Sequence, residues 1–183
     1  IVDNCQKRPQ RLFEERELSV DECAGYLQKA ISLLKSQTAA SDGSEGSLKV
    51  IITVSPIRYA KYGYHGSQLS KATLLLAADK LVKENPGVVS YFPAYEIMND
   101  ELRDYRFYKE DMLHPSQQAV EYIWERFRAT YFGKAAEQFL EDWRPIREAL
   151  GHKPFHPESE EHQKFIARTE EKKRQFEEKY HLL

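Results

Sequence analysis

"LKVIITVSP", residues 48–56, is the most strand-like run in the chain. Val50, Ile51, Ile52 and Val54 are β-branched, and their restricted rotamers suit a pleated strand. A nearly continuous apolar run predicts a strand covered on both faces. Pro56, which has no N–H for a ladder, ends it. Before it, "ELSVDECAGYLQKAISLLKSQ" (17–37) places Val20, Cys23, Leu27, Ala30, Ile31 and Leu34 at helical spacing. Ser19 is the expected N-cap, with Asp21 and Glu22 where the helix dipole favours acids. "TAASDGSEGS" (38–47) is a turn-rich loop, and its acidic "DGSEGS" is too short to cradle phosphate. After the strand, "IRYAKYGYHG" (57–66) reads as a tyrosine-rich loop. "SQLSKATLLLAADKLVKENPG" (67–87) reads as a helix stopped by Asn85-Pro86-Gly87. "VVSYFPAY" (88–95) is a second short strand, ended by Pro93, and "EIMNDELRDYRFYKED" (96–111) a long, part-helical connection. A last helix after Pro115 is expected to bury Val120, Ile123, Trp124, Phe127 and Tyr131 and to stop at Gly133. This alternation predicts an α/β domain with a parallel sheet. Sites in such folds gather at the carboxyl ends of the strands, which is where Ser55, Pro93 and the Asp111–His114 loop are expected.

Bulk composition excludes several roles. Lys and Arg number 27 against 29 Asp and Glu, a formal charge of −2, so no basic excess marks a nucleic-acid binder. No apolar run approaches the roughly 20 residues that span a bilayer. The two cysteines, Cys5 and Cys23, read as a reduced intracellular pair and lack a zinc spacing, so a cytoplasmic location is expected. "IVDNCQKRPQ" (1–10) lacks the basic start and apolar centre of a leader and has no initiator Met, so the chain is expected to be part of a longer one. Beyond Gly133 the texture is charged, which predicts a helical extension over 134–183, bent or restarted at Pro145. "EEKKRQFEEK" (170–179) is the solvated face of such a helix.

The chemical signal lies in "KEDMLHPSQQAVEYIWERF" (109–127). Asp111 stands three residues before His114, and a turn of that length brings a carboxylate to one imidazole nitrogen. The other nitrogen is then open to a nucleophile. The plain alternative is a capping aspartate beside an incidental histidine. Pro115 suits a first helical turn, where no N–H is needed. His65 near Ser67 and Ser70 reads as a loop histidine before a helix that Ser67 caps. Ser55 follows a strand but lacks a glycine-flanked elbow, so a strand-ending turn is the plainer reading. His152, His156 and His162 lack a fixed ligand spacing and read as surface residues. No metal and no cofactor is implied.

"IITVSPIRY", "LSKATLLLAADKLV", "YFPAYEIMNDELRDYRFYKEDMLHPS" and "AVEYIWERF" together resemble the GSCFA domain family of bacterial proteins, as do "VDNCQKRP" and "ELSVDE" at the start. The resemblance is collinear over about residues 1–130. It implies the C-terminal part of an SGNH-type (GDSL-like) hydrolase domain over 1–133: a three-layer α/β sandwich with a parallel sheet, here incomplete, plus the charged extension 134–183. In that fold a serine attacks an ester carbonyl, the histidine of Asp-x-x-His is the base, and the aspartate orients it. These roles carry over to His114 and Asp111. The Gly-Ser-Cys-Phe-Ala motif that holds the family's serine does not occur in residues 1–183 and is expected upstream. Asn4 lies in the family's Asn-Cys stretch without an assignable role, and Gln6 stands where the family pattern often has His. The implied activity is acyl or acetyl ester hydrolysis, with acylated saccharides among the substrates, and the chain alone is expected to be inactive. The strand "VIITV" is expected to leave an unpaired edge that favours self-association. The rival expectation is a non-catalytic α/β module that binds a partner protein through its charged C-terminal helices.

Overall fold

The computed structural model describes residues 9–42, 48–154 and 158–182. Asn4, Cys5, Gln6, His156 and Gly43–Ser47 of the loop before the first strand lie outside the described residues. The chain divides into two compact units, residues 1–124 and 125–183. The protein is mostly helical, with a small parallel sheet.

The first unit opens with α1 (Val20–Asp42). Ser19 caps it as expected: its Oγ accepts from the Glu22 N–H at 3.2 Å, and Glu22 Oε2 accepts from the Ser19 N–H at 2.9 Å. This reciprocal pairing satisfies N–H groups at the helix start. The helix runs on to Asp42, through residues whose sequence reads as loop. Among its described side chains Ala24 and Ile31 are buried, while Leu27 and Leu34 are exposed.

β1 (Val50–Thr53) and β2 (Val89–Phe92) pair in parallel, Val50 opposite Val89 and Thr53 opposite Phe92. The expectation that β1 is covered on both faces fails. Burial alternates along it, and Ile51 is 39% exposed. A β-branched run marks strand propensity, but the number of covered faces depends on what packs there. One face is covered: Ala24 and Ile31 of α1, Ala77 and Leu81 of α2 (Gly63–Glu84) and Val89 form a core cluster, with Val50 and Ile52 against it. Cys23 packs against the same cluster.

α2 starts at Gly63, earlier than its sequence suggests, so Ser67 and His65 lie inside the helix. Ser67 is therefore not its cap. It is buried, and its Oγ accepts from the Tyr59 N–H at 3.1 Å, pinning the loop that leaves β1. Asn85 closes α2, its side-chain amide donating to the Leu81 carbonyl at 3.0 Å and to Gln28 of α1 at 2.7 Å. Gly87 follows at φ 73°, a left-handed turn suited to glycine.

After β2 the chain winds through α3 (Ala94–Glu96), a π-helical segment (Ile97–Leu102) and a 3₁₀ turn (Tyr105–Phe107). A second core cluster forms here from Met98, Phe107, Tyr108 and Ala119, with Leu102 and Ile123 against it. Ala119 and Ile123 lie on α4 (Gln117–Tyr131). Val120 and Trp124, expected to be buried, are 48% and 43% exposed. The helix turns its small Ala119 inward instead, at 0% exposure.

The second unit contains α5 (Lys134–Gly151), which continues through Pro145, and α6 (Glu160–Lys179). The predicted helical character of residues 134–183 is found in these elements. Phe139 and Trp143 of α5 meet Phe176 of α6 at ring-centroid distances of 4.9 and 5.1 Å. Tyr180 closes on Phe139 at 4.7 Å. Apart from this stripe, α6 is largely solvated.

Candidate active site

Residues 107–116 form a hairpin-like loop. Ser116 donates its N–H to the Phe107 carbonyl at 2.7 Å, and Lys109 to the His114 carbonyl at 2.8 Å. Tyr108 and Pro115 are bridged antiparallel between these bonds. The tip turns tightly: Met112 N–H reaches the Lys109 carbonyl at 2.9 Å, with Met112 at φ 59°. A non-glycine residue in the left-handed region is uncommon and costs backbone energy. Here it bends Asp111 back onto the two residues after it. Pro115 thus precedes α4 rather than occupying its first turn. Ser116 caps that helix, its Oγ accepting from the Ala119 N–H at 3.3 Å.

The two oxygens of Asp111 do different things. Oδ1 accepts the N–H groups of Leu113 and His114 at 2.8 and 2.9 Å. Oδ2 lies 2.6 Å from His114 Nδ1. The backbone N–H groups of His114 and Leu113, then the ring, hold the Asp111 carboxyl at about 2, below its ordinary 3.8. It is ionised at neutral pH. Capping and orienting, set against each other as rival readings of this motif, are done by one carboxylate at once. The His114 side chain is 50% exposed, and Nε2 has no hydrogen-bond partner among the described residues.

The loop is anchored to the segment leaving β1. Arg58 donates its backbone N–H to the Leu113 carbonyl at 3.0 Å. Its guanidinium lies over the ring of Tyr108, 4.2 Å from the centroid. Upstream, Lys71 of α2 donates from Nζ to the Ser55 carbonyl at 2.6 Å, and burial pushes its ammonium down. Three tethers, from Lys71, Ser67 and Leu113, thus fix residues 55–59. Ser55 itself is exposed, its Oγ accepting a long 3.5 Å bond from the Ile57 N–H, as in a strand-ending turn. Sequence reading missed Arg58 and Lys71. The signal available was a cation embedded in a run of tyrosines, "IRYAKYGY".

Two family models match the chain. The model of the GSCFA family covers residues 1–127, and that of the GSCFA domain protein, C-terminal domain, covers 143–183. The chain belongs to the GSCFA family. Comparison with curated proteins and with solved structures returned no match. The GSCFA match spans β1, β2 and the whole 107–116 loop.

The remaining candidate histidines behave differently. In the second unit, His152 and His162 both lie against the Phe165 ring, at 5.7 and 6.3 Å. They line an open depression of about 530 Å³ with Glu148, Glu161 and Ser159. Among the described residues no group of three His, Cys, Asp or Glu side chains is placed to hold a metal. No helix among them is long and apolar enough to cross a membrane.

Proposed function

We propose that Asp111 and His114 are the acid/base pair of an SGNH-type serine ester hydrolase. The observation that carries this reading is the 2.6 Å Oδ2···Nδ1 contact on a half-exposed ring whose Nε2 is open. In this reaction Nε2 takes the proton of a serine hydroxyl as Oγ bonds to the ester carbonyl carbon. The tetrahedral intermediate collapses, the bond to the alcohol oxygen breaks, and the imidazolium returns its proton to that oxygen. Water then attacks the acyl-enzyme, giving its proton to Nε2, and the carboxylic acid leaves as serine regains a proton. Asp111 holds Nδ1–H throughout and stabilises the imidazolium.

Ser67 and Ser116 already accept backbone N–H groups, and Ser55 lies in a turn without an elbow. The nucleophile in this reading is the serine of a Gly-Ser-Cys-Phe-Ala segment, which residues 1–183 do not contain. The sheet reading goes with it. Among the described residues β1 pairs with β2 alone, and Ile51 faces no core cluster. Both features suit a sheet that is larger in the complete domain, a three-layer sandwich. Without the missing part, the β1 edge favours self-association. The substrates are acyl or acetyl esters, those of saccharides included.

The test is hydrolysis of p-nitrophenyl acetate and butyrate by three proteins: this chain, its His114→Ala variant, and a chain extended upstream to include the serine. The extended chain should turn over, His114→Ala within it should lose roughly three to six orders of magnitude, and the 183-residue chain should stay at background. Enzyme-rate turnover by the 183-residue chain, abolished by His114→Ala, would place the nucleophile inside it. An inert extended chain would remove the catalytic role.

A further inference from the structure

Arg58 is half-buried, and its guanidinium lies over three tyrosine rings: Tyr108 at 4.2 Å, Tyr105 at 5.3 Å and Tyr64 at 6.0 Å. A partly desolvated guanidinium ordinarily finds a carboxylate. Among the described residues Arg58 has none; its hydrogen bond to protein is the backbone one to Leu113. The carboxylates next to the cluster in sequence have other partners: Asp104 is held by Arg106 and Asp111 by His114. Rings over the guanidinium leave its coplanar N–H donors as the groups free to bind. That edge is a fork, matched to the paired oxygens of a carboxylate or phosphate. The hydroxyls of Tyr64 and Tyr105 have no hydrogen-bond partner among the described residues, and both residues are about 60% exposed. They are further donors on the same cluster.

The position is specific. Arg58 touches the histidine loop twice, through the Leu113 carbonyl just before His114 and through Tyr108, which is bridged to Pro115 just after it. We infer that Arg58, with Tyr64 and Tyr105, is the anion-binding subsite of the His114 site, and that its ligand carries a carboxylate or phosphate group. The assignment of this group to an ester substrate rests on the hydrolase reading; the binding of the anion does not.

The experiment is therefore a binding one. Succinate, inorganic phosphate and neutral succinamide are titrated into the full chain while the Arg58 Nε–H and His114 ring signals are followed by NMR. At least one of the two anions should shift both signals saturably, and the stronger of them identifies the group. Succinamide should leave them unmoved. Arg58→Lys, which keeps the charge but loses the fork, should weaken binding about tenfold or more, and Arg58→Ala should abolish it. Both variants retain the backbone bond to Leu113, and unchanged amide dispersion verifies their fold. Binding is read with no ester present, so loss of hydrolysis and loss of this subsite are separable. Equal shifts from succinamide, no saturable shift from either anion, or unchanged affinity in Arg58→Ala would overturn the inference.

Discussion

Asp111 and Asp142 are both held at about 2, yet they hold different things. Asp142, on α5, accepts from Lys179 and Tyr180 near the end of α6, each at 2.6 Å, and from Gln138 at 2.9 Å. Its partners are side chains, and together they tie one helix to the next. Asp111 accepts from two backbone N–H groups and one imidazole, all from the two residues of its own turn that follow Met112. The first arrangement is closed. The second ends on a half-exposed ring whose other nitrogen has no hydrogen-bond partner among the described residues. Depression of a carboxyl therefore does not mark a functional site by itself. What distinguishes Asp111, and carries the proposed catalytic role, is that the ring it holds has capacity left over.

The comparison breaks most sharply on activity. In the serine-bearing chain, Asp111→Asn should lower kcat/KM for p-nitrophenyl acetate by roughly two to four orders of magnitude, because the imidazolium loses its counter-charge and its tautomer is no longer fixed. Asp142→Asn should leave the rate within about twofold, since surface ion pairs contribute little to stability and its partners lie on the second unit's helices. Equal losses from the two would mean that the Asp111–His114 contact is one more tether.

On stability the ranking reverses. Phe176 is 6% exposed and meets three aromatic rings of α5 and α6, those of Phe139, Trp143 and Tyr180. Phe176→Ala should cost the α5–α6 pairing about 3–5 kcal/mol, read as a lower-temperature transition in far-UV circular dichroism. Deleting residues 158–183 should likewise leave residues 1–124 folded, with the amide signals around β1 and β2 retained. Loss of those signals would show that the first unit depends on the second.

How much of this could be read from the chain differs by region. β1, β2, their parallel pairing and the Ser19 cap were legible because each depends on local chemistry: β-branched runs, prolines, a serine before an Asp-Glu first turn. The Asp111–His114 contact was legible as a spacing, and resemblance to the GSCFA family singled it out. Burial on α4 was not. Val120 and Trp124 fit the apolar period, but Ala119 faces the cluster of Met98, Phe107 and Tyr108, which the intervening π-helical turn brings there. The start of α2 was misplaced because "YGYH" carries glycine and aromatics that read as loop. Tertiary tethers from Ser67 and Lys71 to the β1 exit hold that region in register. Arg58 escaped notice since the tyrosine run around it supplies only the Tyr64 ring, and no spacing encodes the approach of Tyr105 and Tyr108 from far along the chain.

The smallest effect separates the two aspartates most finely. For Asp111 the largest causes of the low carboxyl value are the N–H groups of His114 and Leu113, ahead of the imidazole; for Asp142 the largest is the Lys179 ammonium. Both carboxyls lie below 3.8, so each stabilises the fold above about pH 4, and that contribution disappears as pH falls through about 2. Removing a side-chain partner should act unequally. Lys179→Met takes away the first cause at Asp142, and its carboxyl ¹³C titration should move clearly upward. His114→Ala takes away the ring's hydrogen bond and charge, the third and the last causes at Asp111, whose midpoint should move less because the two largest, both backbone donors, remain. An Asp111 midpoint that returns to its ordinary value in His114→Ala would show that the ring, not the turn, holds the carboxylate. The histidine would then be building the loop rather than being presented by it.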